Sequence, residues 1–582
     1  MNITAIGVRP SLGLVKILRR ALIGSAVANL IMMVSSPAAI ADPAADSPGG
    51  RIRFEISVPA SIKVASLTGR VFLFVAQTNQ TEPRFESKAS LFGQDVHAVT
   101  AGQPIVVDDR SPSFPEPRLG DLAPGDYFVQ AVLNIYTEFH RADGHTIWAH
   151  MDQWEGQNFA RSPGNLISEP QAIHIGTGAS GTINMNLEKV IPPIEVPPDT
   201  EWVQRIKFQS PMLSKFWGHP IYLGATILLP KGYASHPEMR YPAVYIQGHF
   251  GLGSPFDFSP APDLNGKKSW ARQREEAAAQ HLAPPPPPAG TVEVGSLPNT
   301  ETGHEFYETW NSDNFPRMIA VTFQHPTPYF DDSYGVNSPN CGPYGDAIMQ
   351  ELIPALERQF RLIKQSYARV LTGNSTGGWG SLALQIYYPE SFGGAWATSP
   401  DPVDFRLYYG GVNIYEDENA FVEKPGIGFK GGGLANRRGS QRAAILGMQD
   451  GHWEWWKHTP TGPDGYPLPV WNLASGKIDH AVAQRMRENN FDLRDYLARK
   501  WSRIGPQLVG KLHVCAADTD AYYSHLAVRL LDEFMKTTTN PHDEGEFHYG
   551  PPGSHHGWQP TSNAELIKAM AKHIADHKPS AE

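Results

Sequence analysis

Six residues, Gly373-Asn374-Ser375-Thr376-Gly377-Gly378, constrain this chain most strongly, because of what flanks them. Before them, Tyr367-Ala368-Arg369-Val370-Leu371-Thr372 reads as a short buried strand. After them, Trp379 to Tyr388 reads as a helix closed by Pro389. Strand, glycine turn and helix form the setting of a nucleophile elbow. The glycines allow a strained turn and a close approach of strand to helix. Such a turn lifts the Ser375 hydroxyl over the sheet and sets the Thr376 N–H at a helix start, where it can donate to an oxyanion. A bare G-x-S-x-G also arises by chance in a chain with 54 glycines; the flanking elements set this one apart.

A serine hydroxyl is a poor nucleophile at neutral pH and needs a base, an orienting acid and oxyanion donors. In an elbow enzyme the base follows late in the chain. Gly553-Ser554-His555-His556-Gly557-Trp558 is a suitable loop, with His555 expected as the base and His556 the alternative. The acid belongs after the strand-like run Lys511 to Ala516, where Asp518 and Asp520 follow. Asp520 is preferred because it lies closer to the apolar helix Tyr522 to Met535; Asp518 is the alternative. A second oxyanion donor is expected after the strand ending Val244-Tyr245-Ile246, from the N–H of His249 or Phe250. This chemistry requires no metal and no organic cofactor, and the spacing of His140, His145 and His150 fits no common metal pattern.

Two patterns of periodicity divide the chain. Arg51 to Val58, Gly69 to Ala76, Gly125 to Tyr136 and Gly181 to Ile191 alternate with period two, which predicts a small all-β sandwich over residues 50–190. Ile191-Pro192-Pro193-Ile194-Glu195-Val196-Pro197-Pro198 reads as a stiff linker over 191–200. From 201 to 582, strand-like and helical runs alternate, as in Tyr222 to Leu229, Tyr241 to Gln247 and the helical Ala347 to Phe360. The predicted class is α/β, an α/β-hydrolase domain with a mainly parallel sheet. Two insertions interrupt it: a polar, proline-rich mobile loop over 254–302, and a stretch over 406–506 placed where a lid would sit. The second carries Trp453, Trp455, Trp456 and Trp471, the first three being candidates for substrate binding by stacking.

The first 41 residues read as an export signal: Lys16, Arg19 and Arg20, an apolar run from Ala21 to Val34, and the Ala39-Ile40-Ala41 cleavage pattern. The expected location is secreted or periplasmic. No later stretch is long and apolar enough to predict a membrane span. A net charge of -10 argues against nucleic acid as a partner. Cys341 and Cys515 are the only cysteines, and two free thiols are expected.

Three segments resemble the putative esterase family, the α/β-hydrolases related to esterase D, feruloyl esterases, enterochelin esterases and mycolyltransferases. They are Tyr241 to His249, Glu351 to Glu357 leading to Gly373 to Gly378, and Gly553-Ser554-His555. Pro389-Glu390-Ser391-Phe392-Gly393-Gly394 is similar to that family's stretch after the elbow helix. The resemblance runs from about Trp202 to the C-terminus, outside the two insertions. It implies an ester hydrolase with Ser375 as nucleophile and His555 as base, acting on a small-molecule or glycan-linked ester. Ala517 stands where a glycine is common and Thr376 where methionine is frequent. Asn337 to Asp346 lines the mouth of the site or is a structural loop. Acyl transfer, peptide hydrolysis and glycan binding on a non-catalytic hydrolase fold are the competing readings.

Overall fold

The structure is a computed structural model and describes residues 51–63, 65–262, 301–424, 432–447 and 458–579. The expected export signal, Pro284 to Pro288, and Trp453, Trp455 and Trp456 lie outside the described residues. Gly50–Glu582 make one compact unit.

The unit is organised by an eight-stranded sheet. Its strands are β1 (Val203–Ser210), β2 (Ile221–Leu228), β3 (Ala243–Gln247), β4 (Ile319–Gln324), β5 (Arg369–Asn374), β6 (Gly394–Thr398), β7 (Leu512–Ala516) and β8 (Glu546–Tyr549). They lie in the order β1-β2-β4-β3-β5-β6-β7-β8. The β1/β2 and β2/β4 pairs are antiparallel. From β4 to β8 every pair is parallel.

The central strands are apolar on both faces because helices cover both. Five helices matter here: α1 (Gly303–Trp310), α2 (Thr376–Tyr387), α3 (Gly433–Leu446), α4 (Ser524–Lys536) and α5 (Asn563–Asp576). Neighbouring residues of one strand enter opposite layers, as the two-residue period of a strand demands. Tyr245 and Leu371 pack with Leu382 and Ile386 of α2 and Leu531 of α4. Val244 and Val370 pack with Phe306 and Trp310 of α1 and Ile567 and Met570 of α5. Thr302 starts α1 with reciprocal bonds: its hydroxyl accepts from the Glu305 N–H, and Glu305 accepts from the Thr302 N–H at 2.9 Å.

The helix expected over Ala347 to Phe360 is interrupted. Ile348–Leu352 winds as a π turn and Ile353–Gln359 as an α-helix. Pro354 stands at the join, where its ring and missing N–H disturb regular winding.

Before this sheet the chain is all β. Ile52–Ser57 pairs with Gly181–Asn186 and Ile105–Val107. A seven-stranded sheet is built around Leu67–Ala76 and Gly125–Ile135. Phe54, Ile56, Val71, Leu73, Val129 and Leu133 fill the space between the two. The other face of the larger sheet joins the insertion: Phe72, Phe74 and Val132 cluster with Ile445 and Leu446 of α3. Arg70 seals that contact. Its Nε donates to the Ile445 carbonyl at 2.7 Å and its Nη1 reaches Asp95 at 2.8 Å. A cation on the last carbonyls of a helix satisfies both their lone pairs and the helix dipole.

The described part of 406–506 is therefore packed, not loose. Trp471 is buried core, and its Nε1 donates to the Ser440 hydroxyl of α3 at 3.1 Å. His458 is buried against Trp379 of α2, with ring centres 4.6 Å apart.

Candidate active site

β5 ends in the turn that carries Ser375. Its φ of +56° is a left-handed conformation that an L-residue adopts only under constraint. The constraints are visible. The Ser375 N–H donates to the Thr398 carbonyl of β6 at 2.9 Å, and the Ser375 carbonyl accepts from Trp379 N–H at 3.0 Å. Two glycines are obligatory here for lack of space. A Cβ on Gly377 would stand 2.1 Å from the Gln247 carbonyl oxygen, and one on Gly373 would stand 2.4 Å from the Gly377 carbonyl. This close approach brings the end of β3 against the elbow. Thr376, buried, opens α2, and the first N–H groups of a helix have no partner within it.

Asp520 leaves the end of β7 and is buried. Its Oδ2 lies 2.7 Å from Nδ1 of His556 and accepts from the Ser524 hydroxyl at 2.8 Å. Its Oδ1 accepts from the Tyr522 N–H at 2.7 Å. Burial opposes the charge, but the bond and charge of His556, with these donors, hold Asp520 below the usual carboxylate range. Asp518 has another occupation: it is half-buried and accepts from Arg529 at 3.3 Å.

The histidine that Asp520 engages is His556, not the expected His555, which is exposed. The reason is a turn. The Trp558 N–H donates to the His555 carbonyl at 3.1 Å, and Gly557 takes φ +84°. A four-residue turn with its third residue at positive φ needs glycine there and puts the second residue, His556, at the corner. That corner packs on the elbow: a Cβ on Gly557 would contact the Asn374 side chain at 3.4 Å. Ser554, fully buried, ties the two loops together. Its hydroxyl accepts from the Asp518 N–H at 2.7 Å and its carbonyl from the Thr519 N–H at 3.2 Å.

The loop after β3 carries His249 and Phe250. Phe250 turns away and packs edge-on to Trp154 at 5.1 Å. The His249 ring lies 3.1 Å from Asp331 and 3.2 Å from Asp332. Burial works against its charge, yet the two aspartates push it up to about 10, so it is an imidazolium at neutral pH. Among the described residues, these three form the one group with metal-ligand geometry, their ligand atoms lying within 4.8 Å of one another. His140, His145 and His150 do not gather; they go to Thr146, Asp143 and Glu155 respectively.

Asn337 to Asp346 is largely internal. Asn340 is fully buried and its Nδ2 donates to the Thr459 carbonyl at 2.7 Å; the Cys341 carbonyl accepts from Trp217 Nε1 at 2.9 Å. Cys341 and Cys515 are both free thiols.

Two residues near Ser375 escaped sequence reasoning. Asp401 follows β6 by three residues, is buried, and its Oδ1 accepts from the Ser375 hydroxyl at 3.2 Å. Tyr334 comes from the loop after β4 and donates its hydroxyl to the same carboxylate. The rule that picked Asp520, an acid at the carboxyl end of a parallel strand, marks Asp401 as well.

The strand order and the elbow at the end of β5 are together those of the α/β-hydrolases. Within that class the chain belongs to the Putative esterase family, whose pattern it matches over residues 222–559. No curated protein matches it. Similar solved structures include an S-formylglutathione hydrolase from Agrobacterium tumefaciens, at 13% identity and TM-score 0.30, covering 65% of this chain and 96% of that one. Another is a fluorophosphonate-binding serine hydrolase of Staphylococcus aureus, at 12% identity and TM-score 0.28, covering 64% and 98%. A third is a ferulic acid esterase from the anaerobic fungus Anaeromyces mucronatus, at 12% identity and TM-score 0.27, covering 66% and 94%.

Proposed function

We propose that this protein is a serine hydrolase of carboxylic esters in which Ser375 is the nucleophile, His556 the base and Asp520 the orienting acid. The observation that carries this reading is the 2.7 Å contact of Asp520 with His556 Nδ1, in a loop packed on the elbow of Ser375. Asp520 accepts from Nδ1, so Nε2 is the free acceptor of the neutral ring. Nε2 takes the proton as Ser375 Oγ attacks the ester carbonyl carbon. The oxyanion accepts from the N–H groups of Thr376 and of the His249 segment. The imidazolium gives its proton to the leaving alcohol, and an acyl-enzyme remains. Water then repeats the sequence: His556 takes its proton, the carboxylic acid leaves, and Ser375 is reprotonated. Asp520, held ionised, favours the imidazolium formed in each step.

We further propose, on the export signal expected in the first 41 residues, that this activity lies outside the cytoplasm; N-terminal sequencing of the processed protein, with a start at Asp42, tests that reading. The function is tested by a panel of aryl, acetyl and feruloyl esters against wild type and Ser375→Ala. A fluorophosphonate probe, read by intact mass, accompanies the panel. Hydrolysis and single labelling in wild type, both lost in Ser375→Ala, are the expected results. Activity retained in Ser375→Ala refutes the nucleophile.

A further inference from the structure

Asp401 stands at the floor of the site with an environment unlike those of the acids near it. Asp404 is paired with Arg406 and Asp520 with His556. Asp401 has no cation among the described residues. The residue is 5% exposed, and its carboxylate is held by three hydroxyls. Ser375 donates to Oδ1 at 3.2 Å, Thr376 donates to Oδ2 at 3.0 Å, and Tyr334 also donates to Oδ2. A buried carboxylate is costly unless its lone pairs are filled. Here the nucleophile's own proton fills one of them.

The backbone around this carboxylate is strained from three sides. Ser375 (φ +56°), Tyr334 (φ +56°) and Ser399 (φ +39°) are all non-glycine residues at positive φ. Two of them donate to Asp401 and the third precedes it by two residues. Tyr334 is held in that conformation by its N–H bond to Asp332 at 2.8 Å and by edge-on packing against Trp379 at 5.2 Å. Strain of this kind persists where surrounding structure over-determines it, and it gathers at functional sites.

We infer that Asp401 is a positioning residue for Ser375, resting on the reading of Ser375 as nucleophile. Its carboxylate fixes the rotamer of the serine hydroxyl and holds Thr376, which supplies an oxyanion donor. In the resting enzyme the Ser375 hydroxyl donates its hydrogen bond to Asp401, and attack requires that O–H to turn to His556. Once Ser375 is acylated, Asp401 Oδ1 loses that donor and faces the ester oxygen.

Asp401→Asn tests this. The amide keeps the size but offers one acceptor where three donors converge. The expected variant folds, keeps KM within about threefold and loses about 100-fold in kcat. Fluorophosphonate labelling of Ser375 in this variant slows by about tenfold or more, because the hydroxyl is no longer held by the carboxylate. Wild-type kcat, or a lowered kcat with a wild-type labelling rate, overturns the inference. If Asp401→Asn fails to fold, Tyr334→Phe carries the test by removing a single hydroxyl. It is expected to slow fluorophosphonate labelling of Ser375 by about fivefold or more at unchanged KM; a wild-type labelling rate overturns the inference. Ser375→Ala runs beside both. If it stays active, the reading of Ser375 falls and this inference with it. If it is dead while Asp401→Asn matches wild type, the role of Asp401 alone falls.

Discussion

Asp520 holds Nδ1 of His556 at 2.7 Å, and the two residues reach each other from loops that Ser554 fastens together. The acid loop follows β7 and the histidine loop follows β8, neighbours in the parallel sheet. Adjacent strands with the same direction release their loops at the same end, and this juxtaposes residues 36 positions apart. The Ser554 staple then fixes one loop against the other.

This relationship ranks two adjacent histidines. His556→Ala removes the ring that Asp520 engages, and kcat is expected to fall by about 10^4-fold or more. His555→Ala removes an exposed side chain and should stay within about fivefold of wild type, with an unchanged melting temperature. Steady-state kinetics of both purified variants on one aryl ester decide the matter. A dead His555→Ala beside an active His556→Ala reverses the assignment.

The two aspartates separate in the same way. Asp520→Asn keeps the shape but presents the wrong partner to Nδ1, and a loss of about 10^3 to 10^4-fold in kcat is expected. Asp518→Asn breaks a partly exposed pair with Arg529 and is expected to cost under about 0.5 kcal/mol, with kcat within about threefold. Equal losses in the two variants contradict a single orienting acid.

What the sequence reveals follows locality. Ser375 is legible because strand, glycines and helix are contiguous. Asp520 is legible because it stands at the end of a clear apolar strand. The choice between His555 and His556 rests on one turn and the φ of Gly557, which sequence adjacency does not express. Asp401 obeys the same strand-end rule as Asp520, but its bond to the hydroxyl of Tyr334, 67 residues away, lies beyond local sequence. β8 is four residues long and half polar, too short for a periodic signal. The packing of the insertion on the N-terminal sheet depends on Arg70 and Ile445, 375 residues apart. Of the tryptophans in that insertion, Trp471 is core rather than a stacking surface.

Stability is expected to fall on the acid side through two half-buried histidines packed on Trp396. His513 stacks on Trp396 at 4.2 Å, and His573 meets the same ring edge-on at 5.2 Å. Burial disfavours the charged ring in each: His513 is lowered and His573 is pushed down to about 4. The unfolded chain binds these protons at about 6.5. Between about pH 6.5 and 4 the unfolded state therefore holds more protons, and stability falls as pH drops through that window. His573→Gln can keep a donor for the Gly393 carbonyl, now 3.0 Å from Nε2, without the titration. Its melting temperature should fall less steeply than that of wild type between pH 6.5 and 4.5. Parallel slopes in the two proteins count against the neutral buried ring.

Gly377→Ala sets helix propensity against close packing. Gly377 lies in the first turn of α2, and alanine in place of glycine in a helix interior favours the helix by about 1 kcal/mol. Here the added methyl carbon would stand 2.1 Å from the Gln247 carbonyl oxygen and 2.6 Å from its carbon. Both are backbone atoms at the end of β3, a strand paired on both sides, so relief requires β3 and the elbow to separate. Overpacking of a fixed backbone typically costs about 1 to 3 kcal/mol, and more where nothing can yield. The expected outcome is a net loss of about 2 kcal/mol or more in denaturant unfolding, with ester hydrolysis lowered because Gln247 leads into the His249 segment. Gly380 lies one turn on in the same helix, where the same clash is milder: its Cβ would stand 2.9 Å from the Tyr334 carbonyl. Gly380→Ala should therefore cost less than Gly377→Ala. A stabilised and fully active Gly377→Ala would show that β3 and the elbow are not held in the close contact between Gln247 and Gly377.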